Sequence, residues 1–130
     1  MNNEFSSLIM EDIQTIYYNQ FGITFQWKRG DLAQINKIQL VFRKTGLLLT
    51  KDEVAEFYHQ IQLAIEHSHK CQCCPKNKQE KSFLLNTPQE NLSFAMTREE
   101  LSQIRDLVHG TLFQLDLDDF LGDIAVGYKE

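Results

Sequence analysis

The chain has 130 residues, 42% hydrophobic and 24% charged, with a formal net charge of −5 and a sequence pI near 5.3. That is the composition of one globular domain rather than a disordered segment. The acidic balance argues against nucleic acid as a partner, since phosphate binding relies on clustered Lys and Arg, and no apolar run approaches the ~20 residues of a membrane span.

In chain order, Phe5, Leu8, Ile9, Asp12, Ile13, Ile16 and Tyr17 are spaced for one face of a helix, and all but Asp12 are apolar. This predicts an N-terminal helix, with Gly22 suited to its end. Ile23, Phe25 and Trp27 then alternate with Thr24 and Gln26 as a strand, so residues 4–27 are expected to supply helix and strand. Lys28-Arg29-Gly30-Asp31 reads as a turn, and Leu32-Ala33-Gln34-Ile35 carries no clear period.

Residues 37–66 read as a ββα unit. Ile38, Leu40 and Phe42 alternate with Gln39 and Arg43, Arg43-Lys44-Thr45-Gly46 turns the chain, and Leu47-Leu48-Leu49 is the second strand. Val54, Phe57, Tyr58, Ile61 and Ile65 then recur with helical period. His59 reads as a surface residue of that helix. A connector, 67–81, follows; its basic end from Lys76 to Lys81 reads as a solvated loop.

Residues 82–110 repeat the pattern: Phe83-Leu84-Leu85, a turn over 86–91, then Leu92, Phe94 and Met96 alternating with Ser93 and Ala95. Leu101, Ile104, Leu107 and Val108 form the helical stripe, and His109-Gly110 reads as its close. Segment 111–130 interleaves Leu112, Phe113, Leu115, Leu117, Phe120, Leu121 and Ile124 with Asp116, Asp118, Asp119 and Asp123. It reads as a further helix packed on the sheet, or as an amphipathic segment that binds a partner. An EF-hand is a poorer reading, because Phe120 stands at the third ligand position and Leu121 at the glycine.

Thr50-Lys51-Asp52-Glu53 and Thr97-Arg98-Glu99-Glu100 are two copies of one helix-start signal. In each, the Thr and the Glu three residues later can satisfy one another's backbone N–H groups, and apolar residues flank the box (Leu49 and Val54, Met96 and Leu101). An internal repeat follows from this coincidence. The expected fold is α+β in two layers: an antiparallel sheet built from the hairpins of two ββα repeat units, packed by their helices, plus the N-terminal helix.

One cluster could carry chemistry. His67, His69, Cys71, Cys73 and Cys74 place five thiol or imidazole donors in eight residues. These are the ligands Zn²⁺ prefers, and the only cofactor expectation is therefore none or Zn²⁺. A second Cys pair at zinc-site spacing is absent from the sequence, so a redox role or inert thiols are the competing readings. Gly-rich phosphate loops and Gly-x-Ser-x-Gly elbows are absent too, and no small-molecule substrate is indicated. Met1-Asn2-Asn3-Glu4-Phe5 lacks the basic start of a signal peptide, so a cytoplasmic location is expected.

The second unit, Phe83-Leu84-Leu85-Asn86-Thr87-Pro88-Gln89-Glu90-Asn91-Leu92-Ser93-Phe94 followed by Thr97-Arg98-Glu99-Glu100-Leu101, and Ile38-Gln39-Leu40-Val41-Phe42 running into Leu47-Leu48-Leu49-Thr50, resemble over residues 36–110 a family of short uncharacterised bacterial proteins with two such units. Those relatives carry Cys-x-x-Cys before the first hairpin, whereas here Cys71-x-x-Cys74 falls between the units. The resemblance implies the fold and no activity. The functional expectation is a non-enzymatic module that contacts a protein partner or itself, with a metal or thiol site at 67–74 as the alternative.

Overall fold

The structure, a computed structural model, describes residues 12–28, 36–70 and 82–128, with side chains to residue 122. Within these segments the order is β1 (Ile13–Tyr18), β2 (Gly22–Trp27), β3 (Ile38–Phe42), β4 (Thr45–Leu49), α1 (Lys51–Lys70), β5 (Phe83–Asn86), β6 (Ser93–Met96) and α2 (Arg98–Tyr128). Strands β1 to β4 form an antiparallel sheet in sequence order, and β5 and β6 form a second, two-stranded one, giving an α+β fold.

The N-terminal helix expectation fails where it can be examined: Ile13 to Tyr18 is a strand, while residues 4–11 lie outside the described segments. β-Branched and aromatic residues dominate this stretch and favour a strand. The misleading helical period has a specific source. The register against β2 slips between Thr15 and Tyr17, so Ile16 is an inserted bulge residue. Ile13 is buried, and Ile16 and Tyr17 both pack against the core. Apolar contacts three and four residues apart thus come from a bulged strand.

β3 and β4 pair from Ile38↔Leu49 to Phe42↔Thr45, so the turn is only Arg43-Lys44, with Thr45 and Gly46 already in β4. Ile38, Leu40, Phe42, Leu47 and Leu49 face the core. In the second hairpin Phe83, Leu85 and Met96 are buried and Leu84 is exposed, as the alternation requires. Its turn is held by the Thr87 hydroxyl, which donates to the Leu92 carbonyl at 2.8 Å and accepts from the Gln89 N–H at 3.1 Å.

The two hairpins do not share a sheet. The first extends β1–β2 through β2–β3 pairing, and β5–β6 stands apart. Neighbouring strands in sequence usually pair, and β3 is paired on both sides, by β2 and by β4. The sheets meet through side chains instead: Phe42 lies edge-on to Phe94 with centroids 5.1 Å apart. A single core cluster draws on β3, β4, α1, β5, β6 and α2, with Phe57, Leu85, Leu101, Ile104 and Leu107 fully enclosed.

Both helix starts form reciprocal boxes. Thr50 N–H donates to Glu53 at 2.9 Å and Glu53 N–H to the Thr50 hydroxyl at 3.1 Å; the Thr97–Glu100 distances are 3.0 and 3.1 Å. The expected close of the second helix at His109-Gly110 is wrong, because α2 continues unbroken to Tyr128 and absorbs the segment from residue 111. The ring of Tyr17 crosses the helix over Gly110, where a Cβ would sit 2.4 Å from it. The glycine therefore marks a close approach rather than a helix end. The calcium-loop reading also falls, since Asp116, Asp118 and Asp119 stand on that helix.

Candidate binding surface

The helices run antiparallel. Near the start of α2, the Arg98 guanidinium donates to the Ser68 carbonyl in the last turn of α1. At mid-length the Tyr58 and His109 rings are 5.5 Å apart. At the far end Lys51 reaches Asp119 at 2.6 Å and Asp116 at 3.1 Å. These two carboxylates bond to the Lys51 ammonium, Asp119 first, and raise its pKa against a small opposing effect of desolvation.

α2 has 31 residues and α1 has 20. At 1.5 Å per residue, α2 outruns its partner by roughly 15 Å. That overhang lies at its C-terminal end, beyond the contacts with Lys51. Leu112 and Leu115 still pack against the core, but Phe113 is 62% exposed and Phe120 61% exposed, with Leu117 and Leu121 beside them. Residues 113, 117, 120 and 121 share one helical face over an arc of about 100°. Asp116 and Asp118 border the arc on opposite sides.

On the same face, toward the N-terminal end, Ser102, Arg105, Asp106 and His109 combine with Tyr58 to line an open depression of about 440 Å³. The carboxylate of Asp106 is already engaged: it accepts from the Tyr17 hydroxyl at 3.2 Å and from the Asn19 amide at 2.8 Å. Desolvation first, then the Asp106 charge, raises the Tyr17 pKa. Below this cluster the Thr24 and Thr111 hydroxyls meet at 2.7 Å in the interior, with Thr111 donating to the Leu107 carbonyl at 2.7 Å. The Thr24 hydroxyl also reaches the Tyr17 carbonyl at 3.3 Å, so each hydroxyl proton has a backbone acceptor as well as the other hydroxyl, and the β2–α2 seam is satisfied without a charge.

The predicted metal donors divide. His67 and His69 stand exposed in the last turn of α1, and Cys71, Cys73 and Cys74 lie outside the described residues. His67 lies edge-on to Phe83, centroids 6.3 Å apart, which places it beside the first residue of β5. Residues two apart on a helix point to different sides. Among the described residues, no three His, Cys, Asp or Glu side chains group to hold a metal. His59 is exposed, as expected. No helix among the described residues is long and apolar enough to cross a membrane.

Compared with protein-family models, curated proteins and solved structures, the chain finds no match in any of the three. The surface thus rests on its own geometry. Sequence periodicity missed its supporting contacts because they join residues far apart: Tyr17 to Asp106, Thr24 to Thr111, Lys51 to Asp116 and Asp119. The apolar residues of the stripe were visible in the sequence, which left the segment either packed on the sheet or exposed as a partner-binding face.

Proposed function

We propose that the chain is a small non-enzymatic binding module of the bacterial cytoplasm, acting by contact with another protein through the second half of α2. Its carrying observation is the exposed stripe of Phe113, Leu117, Phe120 and Leu121 on one helical face. Four large apolar side chains grouped beside a well-buried core are a costly arrangement for a surface that stays wet. We also read residues 36–110 as two ββα repeat units stacked in two layers, related to the family of short bacterial proteins that the hairpin sequences resemble. The matching cap boxes support that reading.

The test compares tagged wild type with a Phe113→Ser/Phe120→Ser variant by in-cell cross-linking and quantitative mass spectrometry, alongside light scattering for self-association. Both side chains are exposed, so the variant should fold. Proteins enriched on wild type are expected to fall by roughly tenfold on the variant, a loss of about 1.4 kcal/mol. An identical set on both proteins sinks the reading.

A second reading rests on the exposed His67 and His69 in the turn just before the three cysteines: Zn²⁺ held by Cys71, Cys74 or Cys73 and one of these histidines. It predicts about one zinc per chain, lost on Cys71→Ser/Cys74→Ser, and stability that falls on chelation, since structural zinc is coupled to folding. Metal-free protein indifferent to chelator excludes it.

A further inference from the structure

Charge selects the occupant of the stripe. The apolar arc has Asp116 on one flank and Asp118 on the other, with Asp119 behind Asp116. The side chains of Asp116 and Asp119 are 72% and 69% exposed, although both touch Lys51. Among the described residues, Lys51 is the one cation bonded to these aspartates, and it is shared between two carboxylates. Exposed Asp52 and Glu56 on the opening turns of α1 deepen the negative potential around it.

Lys51, Ala55 and Tyr58 follow one another at i, i+4 and i+7, and the contacts of Lys51 and Tyr58 place this row of α1 alongside α2. Ala55, small and exposed, lies in this row between them. A second copy of the chain would set aspartates against aspartates across the same stripe, because an antiparallel two-fold pairing centred near Leu117 brings Asp116 beside Asp116 and Asp118 beside Asp118 of the other copy. An anionic lipid surface meets the same repulsion.

Resting on the binding-module reading above, we propose that the stripe docks a cationic amphipathic segment of another protein. Its apolar side chains cover Phe113, Leu117, Phe120 and Leu121, and its Lys or Arg residues lie along Asp116 and Asp118. The apolar face of such a segment would meet an apolar helix face with an acidic rim.

The experiment uses the full chain and three labelled peptides of about 18 residues, or five helical turns. One has Leu at helical spacing on a Lys background. The second keeps the Leu positions on a Glu background. The third has the first peptide's composition scrambled so that no apolar face remains. Fluorescence anisotropy should show the Leu/Lys peptide binding at least roughly tenfold tighter than either of the others. Its affinity should fall as salt rises from about 50 to about 300 mM. Phe113→Ser/Phe120→Ser should abolish binding and Asp116→Asn/Asp118→Asn should weaken it, with unchanged circular dichroism in both.

Equal binding of the Leu/Glu peptide overturns the cationic partner while leaving the docking surface standing. Leu/Lys binding that survives Phe113→Ser/Phe120→Ser overturns the surface itself. Wild type that sediments as a dimer, dissolved by that variant, makes a second copy the occupant. Binding only after deletion of residues 1–11 assigns the stripe to the chain's own N-terminal segment. Either result overturns the proposal. Absence of both peptide binding and self-association, with no partner lost in cells, removes the binding-module reading as well.

Discussion

Gly110 sits inside a helix, where glycine costs about 1 kcal/mol relative to alanine. Propensity alone therefore predicts that Gly110→Ala stabilises the protein. Contact geometry reverses the sign. An added Cβ would meet the Tyr17 ring at 2.4 to 2.5 Å, and that ring is not free to swing, because its hydroxyl is tied to Asp106 and it packs against the core. Overpacking of this kind costs about 1 to 3 kcal/mol. Gly110→Ala is thus expected to lower the urea midpoint, and Gly110→Ala in a Tyr17→Ala background to lower it far less. Additive losses in that double-mutant cycle would show that the two residues do not meet as described. Arg43 carries a comparable local cost. Its φ of 54° is rare for a side chain of this size, yet the guanidinium pairs with Glu100 and lies 5.8 Å from the centroid of the Phe21 ring. Those two contacts hold the strained turn in place.

The helix starts were legible because a capping box is local: four residues carry the whole signal, and both boxes form as their spacing implies. β1 was not legible, since a bulge at Ile16 gave a strand the contact spacing of a helix. The end of α2 was misread because glycine serves both as a terminator and as a site of close packing, and only a contact with distant Tyr17 distinguishes the two. The boxes are nevertheless unequal. Glu53 closes one box, whereas Glu100 closes the other and also binds Arg43 from the β3–β4 turn. Loss of a cap costs about 0.5 to 2 kcal/mol, so Glu100→Ala should be more destabilising than Glu53→Ala in equilibrium denaturation. Burial disfavours the charged Glu100 carboxylate, but the Thr97 backbone N–H and then Arg43 outweigh it and hold the pKa below its ordinary 4.5. A carboxyl with a depressed folded pKa contributes stability above its unfolded value and loses it as pH falls through the folded one. The gap between wild type and Glu100→Ala should therefore be full at neutral pH and shrink below pH 4.5. A gap independent of pH would mean that the ionised form makes no special contact.

At the scale of the molecule, one core joins two sheets and two helices, so local patterns could name most elements but not their partners. Which hairpin pairs with which is decided by contacts between β2 and β3 and between α2 and β1, and neither leaves a trace in spacing. The same core also sets where the chain can be cut. Thr111 is fully buried, and Leu112 and Leu115 are the last of the described side chains of α2 that pack against the cluster. Beyond them, among the described side chains, the ties to the rest of the fold are the exposed bonds from Lys51 to Asp116 and Asp119. Exposed ion pairs contribute little and are screened by salt. A chain ending after Leu115 is expected to keep a single cooperative transition, with the Trp27 fluorescence and circular dichroism curves coincident and the midpoint close to that of wild type. A chain ending after Gly110 loses the Thr111–Thr24 bond and two core-packed leucines together. Full burial of a large aliphatic side chain is worth about 1.5 to 3 kcal/mol and these two are partly buried, so with the lost hydrogen bond this second cut removes about 2 to 4 kcal/mol from a domain whose total is about 5 to 15. It should unfold at a much lower midpoint or fail to fold. Equal damage from both cuts would mean that residues 116–130 brace the core, and the exposed stripe would then be structural rather than a docking face.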